Sequence, residues 1–273
     1  MFMNDSSSMV GRSSRTPVKH FLLNALVGKI AGVLTSGKSP CKANPFYAVD
    51  LCGGDGFEPE DGSHQASPRI LFKHCNWLRE KHGKQSYLDV IEHQSFTHEK
   101  LTQNCGYMIP HGWVRLIHGD ARSFVLPKLK QDQSAFIHCD PNNVSDTPLT
   151  GPMVNSWNKY TTYLVTLGCN VGGLKRSVIE DRMQWKGYVD LLCSHLPSRH
   201  DAILFWLNKD SSQWAYLASI PKVWSESFAA FAIRNTEKHW PKGIFAASYR
   251  NERKEFENAT LDLFLTKEER GQS

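Results

Sequence analysis

The chain has 273 residues, of which 40% are hydrophobic, and a mean hydropathy of −0.42, which suits one large globular domain. Its net charge of +5 allows a polyanionic partner without requiring one, and no apolar run is long enough to span a bilayer. The seven cysteines include no Cys-x-x-Cys pair, so we expect no metal site and a reduced, cytoplasmic protein.

The first predicted element is an amphipathic helix at residues 17–36, which follows a Ser-rich tail, residues 1–16, that we expect to be disordered. This helix runs into Gly32–Ser39, which matches the phosphate-loop pattern G-x-x-x-x-G-K-[ST]. A working phosphate loop leaves a strand and enters a helix, whereas here the helix comes first and Pro40 follows. The sequence therefore favours a helix C-terminus near Gly37 over a triphosphatase site.

A second glycine stretch, Gly53–Gly56, has the context that the first one lacks. It follows Phe46–Leu51, a short apolar run bounded by prolines and glycines, which is typical of a buried parallel strand before a tight turn. A helical pattern at 66–83 comes next, after a polar insertion. Glycines at such a turn let the backbone approach a ligand closely.

Strand and helix patterns then alternate. Further strands are predicted at Ser86–His93, Gly112–Ala121, Ser134–Val144 and Asp201–Lys209, and further helices at 94–106, 182–197 and 211–228. Residues 145–182 are predicted as an inserted segment on the target side, and the chain closes with β-type runs at 229–235, 243–251 and 258–267. The alternation predicts a single α/β domain over residues 17–273, with a doubly wound, mostly parallel, Rossmann-like sheet and an antiparallel C-terminal hairpin.

Acidic residues close four of the predicted strands. They are Asp50, Glu92, Asp120 and Asp140. In an open parallel sheet, ligands bind at the carboxyl ends of the strands, so we expect these four acids to meet at one edge.

In this order the motifs resemble the class I S-adenosylmethionine-dependent methyltransferases, over about residues 45–267. "VDLCGGDG" is similar to their cofactor glycine loop, and the resemblance implies S-adenosylmethionine contacts there from Asp50, Cys52, Gly53, Gly54 and Gly56. It also implies that Glu92 binds the ribose hydroxyls and that Asp120 and Ala121 lie beside the adenine.

The segment "CDPNN" resembles the catalytic D-P-P-[YFW] tetrapeptide of the amino-methyltransferases, which act on exocyclic amines of bases. A planar amine is a poor nucleophile, so two oxygens must accept its hydrogens while its lone pair faces the methyl group. The resemblance implies that Asp140 and the Pro141 carbonyl are those acceptors. Asn142 and Asn143 stand where the family has a second proline and an aromatic ring that stacks on the flipped base.

The resemblance implies a base N-methyltransferase, most readily of the adenine N6 amine of DNA or RNA, with low sequence specificity. Trp157 or Tyr160 could supply the stacking ring, and Lys175 and Arg176 could contact phosphates. Two alternatives stay open, a methyltransferase for a small molecule or protein and a non-catalytic partner protein. The altered tetrapeptide keeps the second open, and the run "GSHQASPRILF" faintly resembles the three-Cys-motif partner proteins of mobile-element or defence systems.

Overall fold

The computed structural model describes residues 16–36, 45–58, 65–124, 127, 129–130, 133–140, 160–169, 200–209, 212–221 and 244–249. In these ranges the helices are α1 (Thr16–Thr35), α2 (Ser67–His82) and α3 (Ser95–Cys105), with 3-10 turns at Gly106–His111 and Ala121–Ser123. The strands are β1 (Phe46–Asp50), β2 (Ser86–Glu92), β3 (Val114–His118), β4 (Ser134–Cys139), β5 (Thr161–Cys169), β6 (His200–Lys209), β7 (Ser212–Pro221) and β8 (Ile244–Tyr249).

All eight described strands form one sheet in the order β3-β2-β1-β4-β5-β7-β6-β8. Strands β1 to β5 are parallel, whereas β7 is antiparallel to both β5 and β6, and β8 is antiparallel to β6. The predicted Rossmann-like, mostly parallel sheet is confirmed. Strands β2 and β3 lie on one side of β1, and β4 and β5 lie on its other side. The strand order therefore changes direction beside β1, which is where ligands bind in such folds.

The central strands are apolar because both of their faces are covered. Every residue of β4 is buried, and β1 is buried at all positions but Tyr47. The core joins the inner sides of α1 and α2 to side chains of the sheet, with Leu26, Leu71 and Phe136 all fully buried. Of the described helices, none combines the length and the apolar character that crossing a bilayer requires.

Helix α1 decides between the two glycine motifs. Residues Gly32 to Thr35 form its last turn, and the Ser36 N–H donates to the Gly32 and Val33 carbonyls at 3.1 Å. A phosphate loop must follow a strand, whereas this motif begins inside a helix. Residues Gly32 to Thr35 therefore cannot wrap around phosphates. The rest of the motif, residues 37–40, lies outside the described residues.

Two predicted elements differ from the structure. Ser212–Pro221, predicted as part of a helix, is strand β7, because it pairs along both edges with β5 and β6. Thr161–Cys169, predicted to lie within an inserted segment, is strand β5 of the sheet itself. Strands β6 and β7 form an antiparallel hairpin, and β8 lies within the predicted run at 243–251 and pairs antiparallel with β6. Residues 1–15 of the predicted tail, the helix at 182–197 and the runs at 229–235 and 258–267 lie outside the described residues, whereas Thr16 is the first residue of α1.

Helices α1 and α2 meet at a buried histidine. His74 Nε2 lies 2.9 Å from the Asn24 side-chain oxygen, and a Cβ at Gly28 would come within 3.0 Å of the imidazole ring. Burial, assisted by the neighbouring Lys73 charge, lowers the pKa of His74 from 6.5 to about 4. The imidazole is therefore neutral in the folded protein at pH 7.

This histidine makes stability depend on pH. The unfolded chain binds a proton at His74 below pH 6.5, whereas the folded chain does so only near pH 4, so stability falls as pH is lowered through that window. We expect the urea unfolding free energy of wild type relative to His74→Gln to drop by about 3 kcal/mol between pH 7 and pH 4. His82→Gln, an exposed change on the same helix, is the control. A constant difference between wild type and His74→Gln would contradict the prediction.

Candidate functional site at the carboxyl edge of the sheet

Backbone hydrogen bonds join the ends of the first four strands into one continuous edge. The Leu51 N–H donates to the His138 carbonyl at 2.9 Å, which links the end of β1 to β4. The Gly53 N–H donates to the Ile91 carbonyl at 2.9 Å, and the Gly119 N–H donates to the Glu92 carbonyl at 3.0 Å. The four predicted acids are therefore brought to the same edge, as the sequence predicts.

The loop after β1 is shaped by its glycines. At Gly53 the backbone lies so close to β2 that a Cβ would come within 2.3 Å of Val90 Cγ1. Gly54 has a φ of +60°, and a Cβ there would meet no atom within 4 Å. Gly56 packs over α3, where Cys105 Sγ would lie 2.6 Å from a Cβ. The loop thus follows β2 closely at its start and leaves open space beside Gly54.

Glu92 joins this loop to the beginning of α3. Its Oε2 accepts a hydrogen bond from the Gly54 N–H at 3.0 Å, and its Oε1 accepts one from the Gln94 N–H at 2.9 Å. Each carboxylate oxygen has a second lone pair, so the group can still accept hydrogen bonds from a ligand. The carboxylate is thereby fixed in place at the edge where the glycine loop passes.

Asp120 is held by its own turn. Its Oδ1 accepts the Arg122 N–H at 2.9 Å, and its Oδ2 lies 2.8 Å from the Arg122 guanidinium. These contacts, the side-chain hydrogen bond foremost, lower the pKa of Asp120, which is therefore ionised at neutral pH. The carboxylate caps the short turn that begins at Ala121, a residue buried beneath it.

Asp50 occupies a more buried position than the sequence suggests. It is 0% exposed, and its Oδ1 accepts a hydrogen bond from His138 Nδ1 at 3.0 Å, across the pairing of β1 with β4. Its Oδ2 is buried and has no hydrogen-bond partner among the described residues. Because leaving a buried acceptor unpaired is costly, this atom fits a site that a bound donor would complete.

Asp140, at the end of β4, is engaged by a residue that sequence reasoning did not select. Lys19 Nζ of α1 lies 2.8 Å from both Asp140 carboxylate oxygens. Lys19 is 8% exposed, although it belongs to the basic cluster Arg12–Lys19, a pattern that is typical of a solvated surface. The partner of Lys19 lies 121 residues away along the chain, so no local pattern predicts this contact.

The remaining candidate residues divide into two groups. Tyr160, predicted as a ring that could stack on a base, is instead 5% exposed and belongs to the hydrophobic core, so its ring cannot take that role. Cys52 lies in the glycine loop with its Sγ 3.8 Å from Cys139 Sγ. Pro141, Asn142, Asn143, Trp157, Lys175 and Arg176 lie outside the described residues. Within the described ranges, no three His, Cys, Asp or Glu side chains are placed to share a metal ion.

No family model matches the chain, and no curated protein does. Solved structures do match. LPL1258 of Legionella pneumophila, which carries the family-model name DUF519, has 13% identity and a TM-score of 0.57, with 86% of this chain and 97% of that chain covered. Cofactor-bound Rv0187 from MTB has 14% identity and a TM-score of 0.45, with 78% and 82% covered. A Listeria monocytogenes protein named as a class I S-adenosylmethionine-dependent methyltransferase has 10% identity and a TM-score of 0.41, with 72% and 59% covered. The likeness to LPL1258 shows a shared fold.

The close approach at Gly53 gives a prediction for the loop. Gly53→Ala should lower stability and ligand affinity together, because the new methyl group collides with Val90. The double variant Gly53→Ala/Val90→Ala should lose less stability in urea unfolding than the sum of the two single changes, since Val90→Ala removes the colliding atom. Gly54→Ala is the matched control, with a strain of about 1 kcal/mol and no collision. Strict additivity at Gly53 and Val90 would contradict the geometry.

Proposed function

We propose that the protein is an S-adenosylmethionine-dependent methyltransferase that acts on an exocyclic amine of a nucleic-acid base, the adenine N6 amine of DNA or RNA, with low sequence specificity. The observation that carries the proposal is the hydrogen bond from the Gly54 N–H to Glu92 at the edge beside β1. It joins the two motifs that the family resemblance assigns to one cofactor, at the place where Rossmann-like sheets bind their ligands.

The residues at this edge fit such a cofactor, which supplies an electrophilic methyl group on a sulfonium sulfur when bound. The open space beside Gly54 would admit its amino-acid part, and the unpaired Asp50 Oδ2 would accept a hydrogen bond from its ammonium group. The free lone pairs of Glu92 would accept the ribose hydroxyls. Asp120 and Ala121, at the neighbouring strand end, would lie beside the adenine.

Asp140 is the residue that we assign to the target amine. Its side chain is 23% exposed and stands at the end of β4, next to the strand that carries the glycine loop. With the Pro141 carbonyl, it would accept the two amine hydrogens, so that the nitrogen lone pair is free to attack the methyl carbon. Asp140 could also take up the proton that the methylated amine releases.

A nucleic-acid partner is supported by chemistry and charge. The tetrapeptide Asp140–Asn143 resembles one that acts on base amines, and the net charge of +5 is compatible with a polyanion. Asn142 and Asn143 would contact the base edge through hydrogen bonds. In this proposal Trp157 provides the stacking ring, and Lys175 and Arg176 contact phosphates.

The role of Glu92 can be tested on cofactor affinity alone. Glu92→Gln should weaken S-adenosylmethionine binding about 10-fold in calorimetric titration, because it replaces a charge-assisted hydrogen bond to ribose and places an amide group against two backbone N–H donors. Glu99→Gln, an exposed change on α3, should bind as wild type does. Equal affinities for the two variants would remove Glu92 from the site.

The chemical step is tested at Asp140. With radiolabelled S-adenosylmethionine and a mixture of unmethylated DNA and RNA, Asp140→Ala should lower methyl transfer at least about 100-fold, since the amine loses its acceptor. Cofactor affinity should stay within about threefold of wild type, and Glu80→Ala, exposed on α2, should transfer normally. Retained transfer would exclude Asp140 from the reaction. Transfer by wild type only to proteins or small molecules would contradict the nucleic-acid substrate.

A further inference from the structure

We propose that Lys19 is a positioning residue for methyl transfer, which holds the Asp140 carboxylate in one orientation. The inference rests on the proposed function and adds a residue that neither the sequence motifs nor the family resemblance assigns. It also gives helix α1, which lies before the cofactor motifs in the chain, a part in the reaction.

The contact between the two side chains is symmetric and short. Lys19 Nζ lies 2.8 Å from Asp140 Oδ1 and 2.8 Å from Oδ2, so one ammonium group bridges both oxygens. Solvent and salt screen the charges of an exposed ion pair, which therefore contributes little to stability. Lys19 is only 8% exposed, so its attraction to Asp140 is screened less. Charge-assisted hydrogen bonds of this length are roughly twice as strong as neutral ones.

The ammonium is delivered from a rigid support. Lys19 lies on the first turn of α1, and the residues that follow it on the helix, Leu22, Leu23 and Leu26, are buried in the core with at most 1% exposure. Helix α1 also packs on α2 through the contact of Asn24 with His74. The packing of α1 in the core therefore fixes the backbone from which the Lys19 side chain extends.

The bridge from Lys19 orients both oxygens of Asp140. An ionised carboxylate offers about four lone-pair positions, and the Lys19 ammonium takes one on each oxygen. The ionised carboxylate only accepts hydrogen bonds, as the orientation of an amine requires. Lys19 thus fixes the orientation that the proposed chemistry requires of Asp140.

A purely structural role would have a different signature. If the pair only tied α1 to the end of β4, its loss would lower the melting temperature and leave the turnover of the folded protein unchanged. A positioning role predicts a lower kcat with little change in KM or in cofactor affinity, because the interaction matters most when the amine is oriented for attack.

The test compares three variants with wild type in steady-state methyl transfer, below the melting temperature of the least stable protein. Lys19→Met, which keeps the stem and removes the charge, should lower kcat on the order of 10- to 100-fold with KM within about threefold. Lys19→Arg should recover kcat to within about fivefold of wild type, since a guanidinium can also bond both carboxylate oxygens. Lys29→Met removes one charge from the same helix, about 15 Å further along, and should leave kcat unchanged.

Each outcome has a defined meaning. If Lys19→Met does not fold, Lys19→Gln replaces it with the same expected loss in kcat. An unchanged kcat in the uncharged variant, or an equal loss in Lys19→Arg, overturns the positioning role while the proposed function stands. Absence of methyl transfer by wild type to any nucleic acid overturns the proposed function, and the role of Lys19 falls with it.

Discussion

The parallel pairing of β1 with both β2 and β4 determines where Asp50, Glu92 and Asp140 lie. Parallel neighbours place their carboxyl ends at the same edge, so Asp50, Glu92 and Asp140 come together although they are distant in the sequence. The chain that leaves β1 must then pass directly over the end of β2, and this contact leaves no room for a side chain at Gly53. The shape of the loop is thus a consequence of the strand order.

Two carboxylates at this edge are bonded to side chains from other elements. Asp50 of β1 is bonded to His138 of β4, and Asp140 is bonded to Lys19 of α1. Removing one partner of such a pair leaves a buried charge, which is far more costly than replacing the pair as a whole. The edge of the sheet and helix α1 are therefore coupled through electrostatics as well as through the core, and the site depends on elements outside its own motifs.

Sequence patterns predicted the part of the fold that local chemistry determines. Strands β1, β2 and β4 start at the predicted residues, and α2 and α3 lie within the predicted helices, because each is marked by an apolar run between turn residues. The sequence predicts a helix where strand β7 lies, because the spacing of Trp214, Leu217 and Ala218 fits the period of a helix. Its pairing with β5 and β6 decides the outcome, and the pairing with β5, which lies far away along the chain, leaves no local signal.

In the candidate site, too, the sequence predicts the features that depend on local spacing and misses those that depend on contacts between elements. The glycine loop and the acids that end the strands could be read from the sequence, because their spacing follows the strand–turn–helix unit. The burial of Asp50, the place of Tyr160 in the core and the bridge from Lys19 to Asp140 could not, because each depends on contacts between elements.

A crystal structure of the protein grown with S-adenosylmethionine would show whether this edge of the sheet is the cofactor site. We expect the amino-acid part of the cofactor beside Gly53 to Gly56, its ribose hydroxyls on Glu92 and its adenine beside Asp120. Cofactor bound at another face of the sheet, or an edge that stays empty at millimolar cofactor, would contradict it.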